Sequence, residues 1–465
     1  MIRDVAIVGG GVSGLAAGFE LKKLGYRVAV LERQHRVGGN AVSERFDGFL
    51  MEHGPSTVAA AKATAARFSR RLGLDGERCP LGDGIARRYL VGEGRLRGIP
   101  LHPLGLLVSD YLSLAGRARL LAEAVIPRRT EGGEETVAEF CTRRFGAELA
   151  DRVVDPLVAG LYAGRASEIS VSAVFPALVD FERRYGSVAV GAIRRRWRGG
   201  RMPGSRLYSW RDGIGTMPRA LARALGDAVH TGIAVRRLNA RPGGFVVDAG
   251  SAGTVRARAV LLAVQPHVAA RLLEDVEAGA AEAAGAIAAP PLAVVYLGFR
   301  RRQVEHPLDG LGFLIPEGEG RDLSGAQFCS TMFPGRAPDG CVAIVGYVGG
   351  ARNPDLARLP AADLIALTRA EFADLIGARG DPVVARVRHW PMGLPQYGVG
   401  HGERVRTLRS ADQRVPGLFL TGNYFGGPSV ADCLAGAVET AAAAHAYLAG
   451  PEAIIRQPAA RVATG

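Results

Sequence analysis

The stretch that decides the fold is DVAIVGGGVSGLAAGFELKKLGYRVAVLERQHRVGGN, residues 4–40. An apolar run, Val5 to Val8, leads into glycines with G-x-G-x-x-G spacing between Gly9 and Gly14, and a helix-period segment follows. A second apolar run ends on Glu32, eighteen positions past Gly14. The glycines allow close approach to a pyrophosphate, the helix N-terminus attracts its charge, and Glu32 can accept hydrogen bonds from a ribose. Together these features predict a βαβ dinucleotide site.

Length and composition indicate a large globular protein. The 465 residues, 48% of them hydrophobic, suffice for about two or three domains. The five scattered cysteines form no C-x-x-C pair, which predicts neither a disulfide framework nor a metal site: Cys79, Cys141, Cys329, Cys341 and Cys433. Because the first strand starts near residue 4, we expect no signal or transit peptide, and a location in a bacterial cytoplasm or on the cytoplasmic face of its membrane.

The net charge of +13 raises the question of a polyanionic partner. Only three of the 58 basic residues are lysine, a skew that resembles coding bias, and no segment interleaves basic and aromatic residues. We therefore expect no nucleic-acid binding. An anionic membrane surface is the better candidate partner.

A second glycine turn distinguishes a flavin site from a nicotinamide site. Gly38 and Gly39 follow Glu32, and Gly54 and Pro55 follow shortly after. Such a turn lets the backbone lie against the diphosphate and flavin of FAD. The sequence contains no second G-x-G-x-x-G after a strand, as reduction by a nicotinamide would require. We therefore expect a flavin that an organic substrate reduces.

The middle of the chain is predicted to be mainly helical. Helices are expected at 59–72 and 136–163, a hairpin at 89–97, and a solvated linker at 194–201. Between them runs a broad apolar face made of Leu104, Leu107, Val108, Tyr111, Leu112 and Leu114. Its longest uncharged part, residues 98–109, is too short to span a bilayer, so this face either packs inside the protein or lies on a membrane.

Strands dominate the remainder. Residues 209–225 read as a turn feeding a helix, and strands are predicted at 232–238, 244–248 and 255–264. A strand-rich block, predicted to be an antiparallel sheet, comprises residues 292–299, 312–315, 327–332 and 342–348. The last segment reads as a buried strand, a glycine loop at Gly422 and a long Ala-rich helix, a further place for backbone N–H groups to meet a flavin or phosphate.

The two ends of the chain resemble the FAD-binding parts of the amine oxidase and phytoene desaturase superfamily. The middle is similar to the protoporphyrinogen oxidase family, through DPLVAGLYAGRASEISVSAVFPAL (155–178), ERRYGSV (182–188), MFPGRAP (332–338), YVGGARN (347–353) and GLPQYGVGH (393–401). The resemblance covers nearly the whole chain.

The resemblance implies non-covalent FAD and a set of contacts to it. The matching positions are Gly9, Gly10, Gly11, Val12, Ser13, Gly14, Glu32, Arg33, Gly38, Gly39, Asn40, Gly54, Pro55, Ser56, Thr57, Val235 on a returning strand, Trp390, Gly422, Asn423, Pro428, Ser429 and Val430. No metal is implied.

The resemblance also implies substrate contacts. Arg88 matches the arginine that meets a porphyrinogen propionate, with a charge-assisted grip on a carboxylate. Leu292, Leu308 and Phe328 match apolar walls around the macrocycle, and Gly160 matches the place where backbone meets the pyrroles. Without the resemblance, Arg88 reads equally well as a surface arginine and the leucines as plain core.

Three positions depart from the family pattern. Ser56 stands where relatives often carry asparagine beside the flavin, Arg165 stands where G-D-P is usual after Gly164, and Ala163 replaces a glycine of some relatives. The first could alter a hydrogen bond near the flavin, and the other two could reshape the floor of the pocket.

The resemblance implies an α/β and α+β fold: a discontinuous Rossmann-type FAD-binding domain, an antiparallel-sheet substrate domain and an inserted helical, membrane-surface domain. The expected division is FAD-binding segments at 1–88, 206–285 and 401–450, a helical membrane-associated segment at 89–205, a substrate-binding sheet at 286–400 and a flexible tail at 451–465.

The implied activity is oxygen-dependent oxidation of protoporphyrinogen IX to protoporphyrin IX in haem synthesis. Removal of six electrons requires three turnovers of a two-electron flavin, each yielding hydrogen peroxide. Hydride transfer to flavin N5 depends mainly on positioning, so no side chain is expected to be an indispensable acid or base. Ferrochelatase and a second copy of the chain are possible partners. Coproporphyrinogen III oxidation remains an alternative, and amine oxidation is a more distant one because no lysine follows Lys62.

Overall fold

The computed structural model describes residues 2–85, 87–100, 105–129, 132–197 and 207–450. The strands are β1 Ile2–Val8, β2 Val28–Glu32, β3 Ser43–Phe46, β4 Phe49–Glu52, β5 Val58–Ala59, β6 Arg78–Pro80, β7 Arg87–Gly92, β8 Arg95–Pro100, β9 Leu207–Trp210, β10 Val229–Thr231, β11 Arg237–Arg241, β12 Gly244–Asp248, β13 Thr254–Leu262, β14 Leu292–Arg300, β15 Gly310–Leu314, β16 Leu323–Phe328, β17 Cys341–Gly349, β18 Val384–Trp390 and β19 Leu418–Leu420.

The helices alternate with these strands and dominate one stretch of the chain. They are α1 Val12–Lys23, α2 Ala63–Arg71, α3 Gly105–Val108, α4 Leu114–Leu121, α5 Val137–Phe145, α6 Ala147–Leu149, α7 Asp155–Tyr162, α8 Val171–Val174, α9 Pro176–Tyr185, α10 Val188–Trp197, α11 Thr216–Leu225, α12 Pro266–Leu273, α13 Ala278–Gly285, α14 Cys329–Met332, α15 Ala361–Ile376, α16 His401–Arg409, α17 Ala411–Arg414 and α18 Val430–Ala449.

The first sheet is built from distant parts of the chain. Its strand order is β10-β2-β1-β13-β12-β11, and β19 pairs with β13. Strand β1 is parallel to both neighbours, β2 and β13, and its residues Val5–Val8 are buried. A parallel sheet needs cover on both faces. Helices α1, α11 and α18 contribute to the core on one face, and α12, α13 and α16 to the core on the other.

The second sheet carries two different faces. Its order is β18-β14-β17-β16-β15-β7-β8, and all pairs are antiparallel except β15 with β7. One face packs under α15 through Phe313 and Phe372. Successive side chains of a strand point to opposite faces. On the face away from α15, Val294 and Tyr296 of β14 pack on Phe49 of β4.

Residues 105–129 and 132–197 form a mainly helical layer. Its core includes Phe140, Val158 and Ile169. Gly146, with φ of +98°, separates α5 from α6, and a π-helical turn at Ala150–Val154 leads into α7. Among the described residues, no helix is both long enough and apolar enough to cross a bilayer.

The predicted βαβ unit is confirmed, as are the 89–97 hairpin, the helix ending at Leu225 and the strands near 244–248, 255–264, 292–299, 312–315 and 342–348. The 136–163 region is helical but is interrupted at Gly146. The strands of the predicted antiparallel block pair antiparallel with one another, and the one parallel pair described in this sheet joins β15 to β7, which lies outside that block. The hairpin of β7 and β8, which the expected division assigns to the helical segment 89–205, hydrogen-bonds to this second sheet.

Four local predictions are wrong. The helix expected from 59 begins at Ala63, because Val58–Ala59 pairs with β9. Residues 232–236 form no strand, since β10 ends at Thr231 and β11 begins at Arg237. The strand expected to reach 332 ends at Phe328 and turns into α14. The expected linker at 194–201 is partly helical, because α10 continues to Trp197, while residues 198–201 lie outside the described residues.

Candidate flavin and substrate site

The first glycine turn is shaped by contacts that leave no room for side chains. A Cβ at Gly14 would lie 2.0 Å from the carbonyl oxygen of Gly9, and a Cβ at Gly9 would lie 2.4 Å from that of Ala263. Gly9 also has φ of +107°, which favours glycine. These glycines therefore let α1 start directly against β1 and β13, with its N-terminal N–H groups at the end of the sheet.

Glu32 lies at the end of β2 and is bonded to backbone. Its carboxylate accepts hydrogen bonds from the N–H groups of Gly10 at 2.7 Å and Gln34 at 2.8 Å. A carboxylate offers about four lone-pair sites, so two further acceptor positions remain for a ribose. Neighbouring Arg33 is exposed, and its contact with a cofactor stays a prediction.

The second glycine turn lies directly on the first. Gly38 donates its N–H to the carbonyl of Gly10 at 2.8 Å and forms an isolated bridge with Gly11. The Arg36 guanidinium donates to the carbonyl of Gly39 at 3.1 Å. The structure thus brings together two glycine turns that α1 and β2 separate in the sequence.

The segment from His53 to Thr57 connects the glycine turns to the second sheet. A Cβ at Gly54 would lie 2.5 Å from the carbonyl oxygen of Asn40, so the two backbones are in close contact. The indole N–H of Trp390, on β18, donates to the carbonyl of His53 at 2.8 Å. Ser56 donates its hydroxyl to Gln327 Oε1 on β16 at 3.0 Å. Predicted cofactor residues from both sheets therefore meet here.

The C-terminal predicted contacts follow β19. Gly422 has φ of +157°, and the carbonyl of Asn423 accepts a hydrogen bond from the Tyr397 hydroxyl. Pro428 precedes Ser429, which caps α18 by accepting from the Asp432 N–H at 3.2 Å. Val430 begins that helix, which shares the core of α1. The N-terminus of a second helix therefore belongs to the same domain.

Val235 is buried next to β1 and β2 in the core that includes Val8 and Leu31. It does not lie on a strand, because it falls between β10 and β11. The expectation of a returning strand at this residue is therefore wrong, while its contact with a cofactor stays a prediction.

The five predicted substrate residues do not share one surface. Phe328 and Leu308 are buried in the core under α15, at 0% and 2% exposure, and Phe328 packs on Phe313. Leu292 pairs with Trp390 in register, which puts both on the opposite face. The adjacent residue of β16, Gln327, also points to that opposite face, since it bonds to Ser56. The predicted apolar walls are thus divided between the two faces.

Arg88 and Gly160 belong to the face opposite α15. Arg88 is exposed on β7, where it alternates with buried Tyr89 of the α15 core. A Cβ at Gly160 would lie 2.6 Å from Leu314 Cδ2, so α7 packs closely on β15. Within the part of the chain that the structure describes, no carboxylate pairs with Arg88.

The three departures from the family pattern all have partners. Ser56 bonds to Gln327. Ala163 ends α7 with φ of +51°, and its carbonyl accepts from the Ala351 N–H at 2.8 Å. Arg165 donates to the carbonyls of Ala351 at 3.2 Å and Arg352 at 2.9 Å. The last two positions therefore join the helical layer to the loop after β17.

Cations near the second glycine turn were not predicted from the sequence. Burial lowers the pKa of Arg36, and the nearby charge of Arg388 lowers it further. The Arg388 guanidinium lies 4.4 Å from the Trp390 ring centroid, a cation–π contact. Arginine is so abundant in this chain that neither residue stood out, although Arg388 lies two positions before Trp390 on a strand.

A buried carboxylate was also missed. Burial raises the pKa of Glu52 to about 7, although the Arg336 guanidinium opposes this shift. Arg336 was within reach of sequence reasoning, since it is the arginine of the MFPGRAP motif. In the described ranges, no cluster of three or more His, Cys, Asp or Glu side chains is arranged to hold a metal ion.

Comparison with known proteins identifies the family. The model of a family described as flavin containing amine oxidoreductase matches residues 12–445. The chain belongs to this family. Its cofactor is FAD, and the glycine turns, in which added Cβ atoms would overlap backbone, fit a dinucleotide that approaches the main chain.

Several family members are similar along nearly their whole length. Chloroplastic protoporphyrinogen oxidase of Nicotiana tabacum is 30% identical over 96% of this chain and 86% of its own. Coproporphyrinogen III oxidase of Bacillus subtilis is 26% identical over 93% of this chain and 96% of its own. A crystal structure of a candidate protoporphyrinogen oxidase from Exiguobacterium sp. 255-15 shares the fold, with a TM-score of 0.82 at 23% identity, covering 95% of this chain and 98% of that one. The protein is thus a flavin oxidoreductase, with relatives named protoporphyrinogen oxidase and coproporphyrinogen III oxidase.

Proposed function

We propose that the protein oxidises protoporphyrinogen IX to protoporphyrin IX, with dioxygen as the final electron acceptor and hydrogen peroxide as the second product. The observation that carries this proposal is the exposed Arg88 on the same sheet face as Leu292 and the Ser56–Gln327 contact. A guanidinium that has no carboxylate partner among the described residues, on the same sheet face as apolar Leu292 and the Ser56 contact, suits a reduced macrocycle that bears propionates.

FAD, when bound, supplies the hydride acceptor and the subsequent reaction with oxygen. The side chains of the protein would bind the substrate and orient it against the flavin. Arg88 would hold a propionate, and Leu292 would contact the macrocycle, while α7 at Gly160 limits the space beside Leu314. No side chain of this face is proposed as an indispensable acid or base, since holding the reacting carbon against the flavin supplies most of the effect.

The cofactor is proposed to lie along the two glycine turns, without a covalent bond to the protein. Glu32 would accept from the ribose, the α1 N-terminus would meet the diphosphate, and residues 54–57 with Trp390 and Asn423 would surround the ring system. The contacts of Gly38 with Gly10, of Trp390 with His53 and of Ser56 with Gln327 support this arrangement, because they join the two glycine turns to each other and residues 53–56 to the second sheet.

The alternative substrate is coproporphyrinogen III, which carries four propionates. The Bacillus subtilis relative bears the name of this activity. The deciding experiment compares turnover of the purified protein on the two porphyrinogens, followed by product fluorescence and oxygen consumption. A higher kcat/KM on protoporphyrinogen supports the proposal, and a higher value on coproporphyrinogen overturns it. An amine substrate such as benzylamine serves as the control for the wider family.

We also propose that the helical layer docks on the cytoplasmic face of a bacterial membrane. Large apolar side chains are exposed there, including Leu114, Leu121, Val125 at 80% and Trp197 at 83%. The segment at Val125 contacts α10, since Glu123 accepts hydrogen bonds from the first two N–H groups of that helix. Three arginines directly precede Trp197 at the other end of α10. Apolar side chains beside arginines suit an anionic lipid surface.

Sedimentation with vesicles tests this docking. The wild-type protein should pellet with phosphatidylcholine vesicles that contain phosphatidylglycerol, and the double variant Val125→Ser/Trp197→Ser should pellet less. Leu24→Ser, an exposed apolar residue at the end of α1, serves as the matched control. Equal sedimentation of all three proteins would refute the docking surface.

A further inference from the structure

We propose that Arg336 is a positioning residue, which acts through Glu52 to hold the segment His53–Thr57 in the geometry that binds FAD. The inference rests on the proposed course of FAD along this segment. It gives a role to the arginine of the MFPGRAP motif, whose side-chain hydrogen bonds and ion pair, within the described part of the chain, go to Ser209, Trp210 and Glu52 and not to a predicted cofactor or substrate residue.

The two charged side chains form a buried pair across two parts of the molecule. Arg336 follows α14 of the second sheet and is 1% exposed, while Glu52 ends β4 and is 6% exposed. Their closest atoms, Arg336 Nη1 and Glu52 Oε1, lie 3.3 Å apart. Arg336 Nη2 donates to Ser209 Oγ at 2.9 Å and to the carbonyl of Trp210 at 3.3 Å. Taking both charges out of water is expensive, so such a pair is weak evidence for stability alone.

Glu52 joins two further parts of the chain, β3 and the turn before α11. Its carboxylate accepts from the Ser43 hydroxyl at 2.5 Å on β3 and from the Ile214 N–H at 2.9 Å before α11. The main chain of Arg336 adds to the same clamp, because its carbonyl accepts from the Leu50 N–H at 3.1 Å on β4. The side chain and the main chain of Arg336 thus both bind to β4, through Glu52 and Leu50.

The residues that follow Glu52 are the ones proposed to surround the flavin. The carbonyl of His53 accepts from Trp390, Gly54 touches the backbone of Asn40, and Ser56 donates to Gln327. Residues 53–57 contain no helix or strand of their own. Their position therefore depends on these contacts and on the ends of the segment, and a shift of Glu52 would move the adjacent His53 and Gly54 away from theirs.

The proposal is tested by FAD titration of full-length apoprotein, measured by quenching of flavin fluorescence, with the absorption spectrum of the bound flavin as a second readout. In Arg336→Met, Glu52 is left without its cation. We expect Kd for FAD to rise by about tenfold or more, with a shifted flavin band, because an uncompensated buried charge forces the carboxylate to move or protonate. Arg336→Lys, which keeps the charge, should recover part of the affinity.

The double variant Glu52→Gln/Arg336→Met removes both charges and carries the test if Arg336→Met fails to fold. A cooperative pair predicts that its Kd lies closer to the wild-type value than that of Arg336→Met. The control is Arg45→Met, on the neighbouring strand, which breaks an exposed ion pair with Asp212 and should leave Kd unchanged. This pair lies 3.0 Å apart, so it matches the buried one in chemistry but not in burial.

The outcomes separate this inference from the proposed function. If the Arg336 variants lower the melting temperature but bind FAD with the wild-type Kd and spectrum, Arg336 is purely structural and the inference is overturned. If the variants Gly14→Ala and Ser56→Ala also bind FAD with the wild-type Kd and spectrum, the proposed course of the cofactor is wrong. A loss of affinity in Arg336→Met with recovery in Arg336→Lys supports the positioning role.

Discussion

Replacing Arg88 by alanine should weaken the grip on substrate without weakening the fold. Arg88 is exposed on β7, and within the described residues no carboxylate pairs with it, so its removal should change the free energy of unfolding by less than about 0.5 kcal/mol. The lost interaction is a charge-assisted hydrogen bond to a carboxylate, worth ~1.5–3 kcal/mol. This energy corresponds to a fall in kcat/KM of about 10- to 150-fold.

The fall should come mainly from KM, because Arg88 orients a substrate group distant from the reacting carbon. Steady-state rates on protoporphyrinogen, followed by porphyrin fluorescence, give both constants. Arg88→Lys should lie between wild type and Arg88→Ala, since lysine keeps the charge and loses the planar fork. Arg87→Ala is the matched control, because Arg87 precedes Arg88 on the same strand and alternation directs it to the other face. An unchanged KM in Arg88→Ala, or an equal rise in Arg87→Ala, would refute this role.

Three further outcomes follow from the structure. Gly14→Ala should abolish FAD binding in a titration of soluble protein, because the new Cβ would lie 2.0 Å from the carbonyl oxygen of Gly9; retained wild-type affinity would contradict the glycine contact. Ser56→Ala should lower FAD affinity or protein stability by ~0.5–1.5 kcal/mol, because it removes the hydrogen bond to Gln327. An unaltered flavin spectrum and melting temperature would show that this hydrogen bond contributes to neither. The pKa of Glu52 is about 7 in the folded protein and lower when unfolded, so the folded state binds more protons between about pH 4.5 and 7. Stability from this group therefore falls as pH rises through that window, and urea unfolding of wild type minus Glu52→Gln should reveal the slope; a flat difference would contradict the raised pKa.

The parts of the fold that local physics determines were predictable from sequence. The βαβ unit follows from an apolar run, glycines and a helix-period segment within residues 4–40, and the structure has β1, α1 and β2 where they were expected. The failures occur where distant contacts decide. The strand expected at 327–332 stops at Phe328, where the chain turns into α14. The edge strand β18 was missed because its sequence, VARVRHW, mixes arginine and histidine with apolar residues and lacks a strict alternation of the two.

The sequence predicted which glycine turns would meet, but not the face of the sheet on which each predicted substrate residue lies. Glycine turns carry a recognisable spacing, whereas the face that a side chain takes depends on strand register. Phe328 was expected at a substrate wall and lies in the core under α15, while Gln327 beside it points to the opposite face and bonds to Ser56. A one-residue difference in register decides such assignments, and a single sequence does not contain it. The buried Arg336–Glu52 pair could not be predicted either, because its two partners are far apart in the chain.

The packing of α18 on α1 has a consequence for synthesis. The nucleotide-binding motif is synthesised long before two of its partners, since β1 pairs with β13, and α1 shares its core with Leu434 and Ala437 of α18. At about 5–20 residues per second, the growing chain waits on the order of tens of seconds before these partners exist. During that interval β1 can pair with β2 but lacks β13, and the face of α1 that α18 covers stays in water. A chain shortened before Val430 should keep every glycine of the motif and still be unable to retain FAD, because the apolar face of α1 that packs on Leu434 and Ala437 would be left exposed.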